Sequence, residues 1–434
     1  MDDNALVISQ QIDLFAARPA DLSVTEEIVN EVRPSNVYTS SSEIIFSIHG
    51  NEGLYLDPQI TMAVAFKILK ADGTNLDKDA KVAPLNLIPH TAFKQSTMKI
   101  NGVIVSNSSN LYPYRSYLSL HLSYSKDPKS TWLQLHGYYA DTGDFSSTIA
   151  SENDGFKARQ ELAAESKTMY FLAPLQNDLS YQPRLIIPGV NIEITLSPAS
   201  DGFRIMSGTT TTKEQLKIVD IYLLVKYYRI LPSLALAIEE TLRTRPVRYP
   251  ITRLVTRTYT ISPGTTVYTI DNLSSGLLPS VCLAGFVEAD AFIGGYAKNA
   301  LEFKNKGLQT LQIFANGRPI PTNPYNPIID ANGSDVCFEY LGLCEAMGKI
   351  NGDSSIGLSL KDYREGNFIY GFSIAGSESG LKADAAQYKY GSLNLKSTFE
   401  VGGIDQAVVL VILLVYQSEI KITYDRQVVI DYVT

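Results

Sequence analysis

Four histidines, His49, His90, His121 and His136, are the side chains of this chain best suited to hold a metal or move a proton near neutral pH, and all four lie in its first half. A histidine metal centre of the cupin kind needs a close His-x-His pair and a later third ligand; these four are widely spaced, which favours hydrogen-bonded or surface roles. Two acidic loops, Asp72 with Asp77 and Asp79, and Asp330 with Asn332 and Asp335, carry oxygen ligands that suit calcium. Neither has the spacing of a calcium loop, so solvated turns are expected. Cys282, Cys337 and Cys344 are odd in number and form no Cys-x-x-Cys, which argues against a disulfide framework or a zinc site and for folding in a reducing compartment. No G-x-S-x-G elbow, Walker loop or G-x-G-x-x-G occurs; Gly294-Gly295 and Gly402-Gly403 are bare pairs suited to bulges or turns. Asn107, Asn272 and Asn332 open N-x-S/T triplets, which mean little beside an acidic opening, Met1-Asp2-Asp3-Asn4, that does not read as a secretory signal. The one basic concentration is Arg243, Arg245, Arg248, Arg253 and Arg257, with no acid among them. It suits contact with nucleic acid or an acidic neighbouring subunit, or a linker whose arginines pair internally. The residues therefore point to no catalysis, no metal and no cofactor.

The elements that would carry these side chains are mainly strands. The 434 residues are 45% hydrophobic and 19% charged, a globular composition, and 26 Tyr and 16 Phe against one Trp, Trp132, lean toward pleated surfaces. Two β domains of about 200–250 residues each fit the length. A net charge of −8 is against a whole-surface grip on nucleic acid. The most apolar run, Ala407 to Tyr416, is too short for a membrane helix and reads as a strand buried on both faces.

Further strands are predicted at Glu43 to Ile48, Gln59 to Lys70, Arg184 to Ser197 (broken at Pro188-Gly189), Leu216 to Leu231, Leu254 to Ile261, Leu308 to Phe314 and Ser354 to Leu360. Met98 to Ser106 reads as a hairpin, because Asn101-Gly102 suits the two positive φ angles of a type I′ turn; Asn316-Gly317 marks a second such turn. Tyr112-Pro113-Tyr114-Arg115 follows the first turn and leads into a mixed stretch to Tyr124. Gly155 to Lys167 reads as a helix within a long loop, and Leu234 to Leu242 as a short helix capped by Ser233 and ended by Pro246 and Pro250. The expected division is residues 1–231, a helical and Pro-rich linker 232–250, and 251–434. Segments 98–114 and 312–328 echo one another, each meeting Asn-Gly and then Pro-Tyr, which suggests related domains.

Several long blocks resemble the major capsid proteins of Polinton (Maverick) elements and adintoviruses. They are QIDLFAARPADLSV (11–24), FKQSTMKINGVIVSNSSNLYPYRSYLSLHLSYSKD (93–127), LIIPGVNIEITLSPASDGFRIM (185–206), RYPITRLVTRTYTISPGT (248–265), residues 278–321 and ITYDRQVVIDY (422–432). The blocks are collinear over nearly the whole chain. Ala300-Leu301 departs from the Asn-Pro of that family. The resemblance makes Asn101, Gly102, Tyr112, Pro113, Tyr114, Arg115, Asn316 and Gly317 family-like structural positions. It implies an all-β chain of two tandem eight-stranded jelly rolls with long loops and a few short helices. It also implies a homotrimeric, pseudo-hexagonal capsomer of an icosahedral shell, found in the virion after synthesis in the host cytoplasm. The partners it implies are further copies of the chain, a single jelly-roll penton protein and, at the basic segment, weakly held packaged DNA, with no membrane span. The competing reading is a β-sandwich binding or fibre-type module without enzymatic activity.

Overall fold

The computed structural model describes residues 23–208, 213–330, 333–350, 353–374 and 390–430. Eight main strands come first: β1 (Val24–Val32), β2 (Ile44–Ile48), β3 (Thr61–Leu69), β4 (Phe93–Ile100), β5 (Val103–Asn107), β6 (Met169–Pro174), β7 (Ile192–Pro198) and β8 (Gln215–Ile230). They form two antiparallel sheets, β1-β8-β3-β6 and β2-β7-β4-β5. Eight more follow: β9 (Val247–Ile261), β10 (Val267–Leu277), β11 (Val281–Glu288), β12 (Leu308–Ala315), β13 (Arg318–Tyr325), β14 (Ile369–Ser373), β15 (Tyr390–Phe399) and β16 (Val408–Ile422). Their sheets are β9-β16-β11-β14 and β10-β15-β12-β13. Adding eight to each strand number of the first roll reproduces the order of the second. The chain is thus a double jelly roll, one topology used twice.

Alternation places the strands. In β3, Met62, Val64, Phe66 and Ile68 are buried, and in β8 Leu216, Ile218, Ile221, Leu223 and Val225 are buried. They meet Phe46, Met98 and Ile194 of the opposite sheet in one core. The second roll's core contains Cys282, Ala284 and Phe286 of β11, Leu311 and Ile313 of β12, Leu393 and Leu395 of β15, and Val408, Leu410, Ile412, Leu414 and Tyr416 of β16. The run read as two-faced is so: Val409, Val411 and Leu413, on the other face of β16, are also buried, in a third cluster.

Among the described residues four helices of ten or more residues fill connections: α1 (Tyr112–Ser123), α2 (Asp154–Ala163), α3 (Pro232–Thr244) and α4 (Cys337–Ala346). The stretch after the first Asn-Gly turn is therefore helical, opened by Pro113 in its first turn. Pro232 likewise begins α3, whose N-cap is Leu231 with no side-chain cap, so Ser233 does not cap it. Residues Ser354 to Leu360 are not a strand. They form a loop that ends in a capping box, where Ser359 and Asp362 close the first turn of a short helix, Leu360–Arg364. In Arg184 to Ser197 only β7 is a named strand; Ile186 makes a single bridge to Leu56.

β9 starts at Val247 and takes up the last residues of the span read as linker; Pro250 sits in it opposite Glu419, on an edge strand where its missing N–H costs nothing. Tyr249, Ile251, Ile420, Ile422 and Ile430 all join the first roll's core. The second half thus completes the packing of the first. The block 11–24 lies outside the described residues save its last two, as do Asn332 and the final residues of 422–432.

Candidate assembly surfaces

The connection between β5 and β6 runs from residue 108 to 168 and is the largest structure outside the two rolls. Its helix α1 lies across β9 and β16 of the second roll. Tyr114, Tyr117 and Leu118 pack there with Leu283, Val287, Val411 and Leu413. The Tyr114 ring stacks on Phe292 at 5.4 Å and its hydroxyl donates to the Ala300 carbonyl at 2.9 Å.

Two buried ion pairs fix this seam. Arg115 Nη2 meets Asp178 Oδ1 at 2.7 Å, and the same carboxylate accepts the Leu254 backbone N–H of β9 at 3.1 Å. Arg159 of α2 meets Asp141 at 2.7 Å, while the other oxygen of Asp141 accepts from Asn299 at 3.2 Å. Each carboxylate thus joins an insertion of the first roll to the backbone or a side chain of the second. Asp178 and Asp141 stand in no motif, and only Arg115 was singled out from sequence.

A cavity of about 350 Å³ opens beside the seam, lined among others by His121, Lys129, Tyr138, Asp141, Asp362 and Asn367. It is the place where chemistry would be sought, and its polar groups act as ties. Lys129 donates to the Ile356 carbonyl at 2.7 Å, and burial lowers its pKa to about 7. His121 shares a hydrogen bond with the Tyr138 hydroxyl at 3.0 Å, Asp141 holds Arg159, and Asp362 caps the short helix. Among the described residues no group of His, Cys, Asp and Glu is arranged to hold a metal ion, and no helix is long and apolar enough to cross a membrane.

His90, His121 and His136 are buried. Burial, with His136 as a lesser cause, lowers the pKa of His90 to about 3; burial lowers that of His136 to about 4, and that of His121 falls well below 6.5. The folded pKa values lie below the unfolded value near 6.5, so the unfolded chain takes up the protons first. The histidines' share of the stability is complete above about pH 6.5 and is lost as the pH falls toward 4, at about 1.4 kcal/mol per pH unit for each histidine. Glu302 and Glu339, whose pKa values are raised by burial, oppose this only near their own titration. The melting temperature is expected to drop between pH 7 and 5, and His90→Gln to flatten the slope by about one proton. An unchanged slope in that variant would show His90 to be solvated.

The Asn-Gly turns occupy equivalent places. Asn101-Gly102 joins β4 to β5 and Asn316-Gly317 joins β12 to β13, the same pair in each roll, with φ of 46° and 82°, and 51° and 77°. Each Asn side chain accepts from the seventh strand of its roll or the residue beside it: Asn101 Oδ1 from the Asn191 N–H at 2.8 Å, Asn316 Oδ1 from the Ser392 N–H at 2.9 Å. The Pro-Tyr part of the echo differs. Pro113-Tyr114 opens α1, whereas Pro324-Tyr325 ends β13. Tyr112 is buried and donates toward or accepts from His90 at 3.1 Å.

The basic segment does not form one patch. Arg243, Arg245 and Arg248 are exposed, Arg243 lying over the Tyr424 ring and Arg248 3.9 Å from Glu419. Arg253 and Arg257 are half-buried on β9, and Arg257 donates to the Leu273 carbonyl.

No known protein-family profile matches the chain. An uncharacterised protein of Caenorhabditis elegans is 25% identical over 356 residues, 79% of this chain and 83% of that protein. Among solved structures the chain is similar to one in the Sputnik virophage, at 11% identity and a TM-score of 0.65, covering 99% of this chain and 93% of that one. It is similar also to the Faustovirus major capsid protein, at 8% identity and a TM-score of 0.61 over 94% and 92%. The mavirus major capsid protein matches at 10% identity and a TM-score of 0.59 over 100% and 95%. At such identities the likeness is one of fold, the double jelly roll.

Proposed function

We propose that this chain is the major capsid protein of a virus or virus-like element of the Polinton–adintovirus kind, a structural shell protein without catalysis. The observation that carries the reading is coverage: both rolls and their connections are matched end to end by capsid proteins, with little of either chain left over for another activity. The collinear sequence blocks support the finer assignment, and a relative encoded by an animal genome suits an element able to integrate. Cavity residues engaged in structural ties support the absence of chemistry.

In this reading three copies form a pseudo-hexagonal capsomer from six rolls, and capsomers tile an icosahedral shell through repeated weak contacts. A single jelly-roll protein closes the five-fold vertices. The exposed Arg243, Arg245 and Arg248 face the shell interior, near packaged DNA. The protein resides in the virion after synthesis in the host cytoplasm. Light scattering on the purified chain tests the capsomer: three times the 47.8 kDa chain mass is expected at micromolar concentration. A stable monomer there would overturn it.

A further inference from the structure

The two rolls differ in how they cover equivalent sheet faces. In the second roll the outer face of β16 lies under α1. The same face exists in the first roll, on β8. Thr61 pairs with Leu224 as Val281 pairs with Val415, and this match carries along both strands once the bulge between Ile218 and Asp220 is allowed for. Leu224, Tyr222, Asp220 and Lys217 then take the places of Val415, Leu413, Val411 and Val409. None of the four is buried, and Val219 in the bulge and Val29 on β1 are 46% and 53% exposed. Half-exposed ion pairs cross this face, Arg33 to Asp220 at 2.7 Å and Lys226 to Glu27 at 3.7 Å, and Arg33 lies over the Tyr222 ring. The ion-paired side chains suit the polar rim of an interface whose centre is Tyr222 and Leu224.

The partner for such a face is also present. α4 stands in the β13–β14 connection, as α1 stands in the β5–β6 connection. It buries Leu343 and Ala346 against its own roll, while Phe338 and Leu341, three residues apart and so on one side, stay 44% and 45% exposed.

We propose that Phe338 and Leu341 of one subunit dock on the outer face of β8, around Tyr222 and Leu224, of a second copy of this chain. The contact repeats between subunits what α1 makes within one. Because the two surfaces are unlike, the contact is head to tail, and it closes into a ring when three copies alternate the internal and the external version. The inference rests on the capsomer reading.

Sedimentation of the full chain and four variants tests it. Phe338→Arg and Leu224→Arg are each expected to raise the trimer dissociation constant at least about 30-fold, as the loss of an interface hot spot does. Val401→Arg, at a fully exposed site, is expected to leave it unchanged. Phe338→Ser gives the same direction without an added charge, and circular dichroism spectra like that of the wild type show that the fold is intact. A wild-type trimer that Phe338→Arg and Leu224→Arg leave equally tight would overturn this seam and leave the capsomer standing. A wild-type monomer would overturn both.

Discussion

Val411→Asp and Ile412→Asp are each expected to leave no soluble folded protein. The two residues are adjacent on β16 and point to opposite faces, and both are fully buried. Ile412 sits between Arg257 of β9 and Ala284 of β11, in the core of the second roll. Val411 sits in the seam under α1. A lone carboxylate in either place forfeits its hydration without a partner, and even the neutral acid costs about 2–7 kcal/mol, a large part of the roughly 5–15 kcal/mol that holds a domain folded. Graded changes calibrate the effect: Ile412→Val is expected to cost about 0.5–1.5 kcal/mol and Leu410→Ala about 2–5 kcal/mol. Soluble fraction and thermal melting check these. A soluble, native-like Val411→Asp would show that the outer face of the second roll is open, and the seam between the rolls would go with it.

Asp178→Ala is expected to cost about 3–5 kcal/mol, more than most polar truncations, because it leaves the Arg115 guanidinium charged and unpaired in a place 1% exposed. The carboxylate also holds the Leu254 N–H of β9, and the Asp178 N–H donates to Ser106 Oγ at 3.2 Å, so one residue ties β5, α1 and β9. Removing both charges as Arg115→Met with Asp178→Leu is expected to restore much of the loss, since an apolar pair needs no desolvation of charge. Denaturant unfolding measures both. A cost under about 1 kcal/mol for Asp178→Ala would mean that water reaches Arg115 and that the ion pair does not fix the rolls.

What was legible from sequence was local. Asn101-Gly102 and Asn316-Gly317 announce their turns because the positive φ angles are a property of two residues and not of their surroundings. The run from Ala407 to Tyr416 announces a two-faced strand because nothing polar interrupts it. Helix α1 was not legible: YPYRSYLSLHLS is rich in Ser and Tyr, and the helix forms because its Tyr and Leu side chains are buried, many of them against a sheet far away in sequence. The stretch Ser354 to Leu360 misled through alternation. Ile356, Leu358 and Leu360 do meet the seam cluster, as anchors of a loop that Gly357 turns at a φ of 67°. The ion-pair carboxylates Asp141 and Asp178 carried no signal at all, since their partners are brought by the tertiary fold.

The proposed role requires that the chain build a shell from three-subunit units. Negative-stain electron microscopy of the full chain, purified and held at micromolar concentration, tests it most directly. Discrete three-fold particles of hexagonal outline, alone or tiled into sheets and closed shells, are the expected result. Uniform single-subunit particles that gather into no ordered array as concentration rises would contradict it.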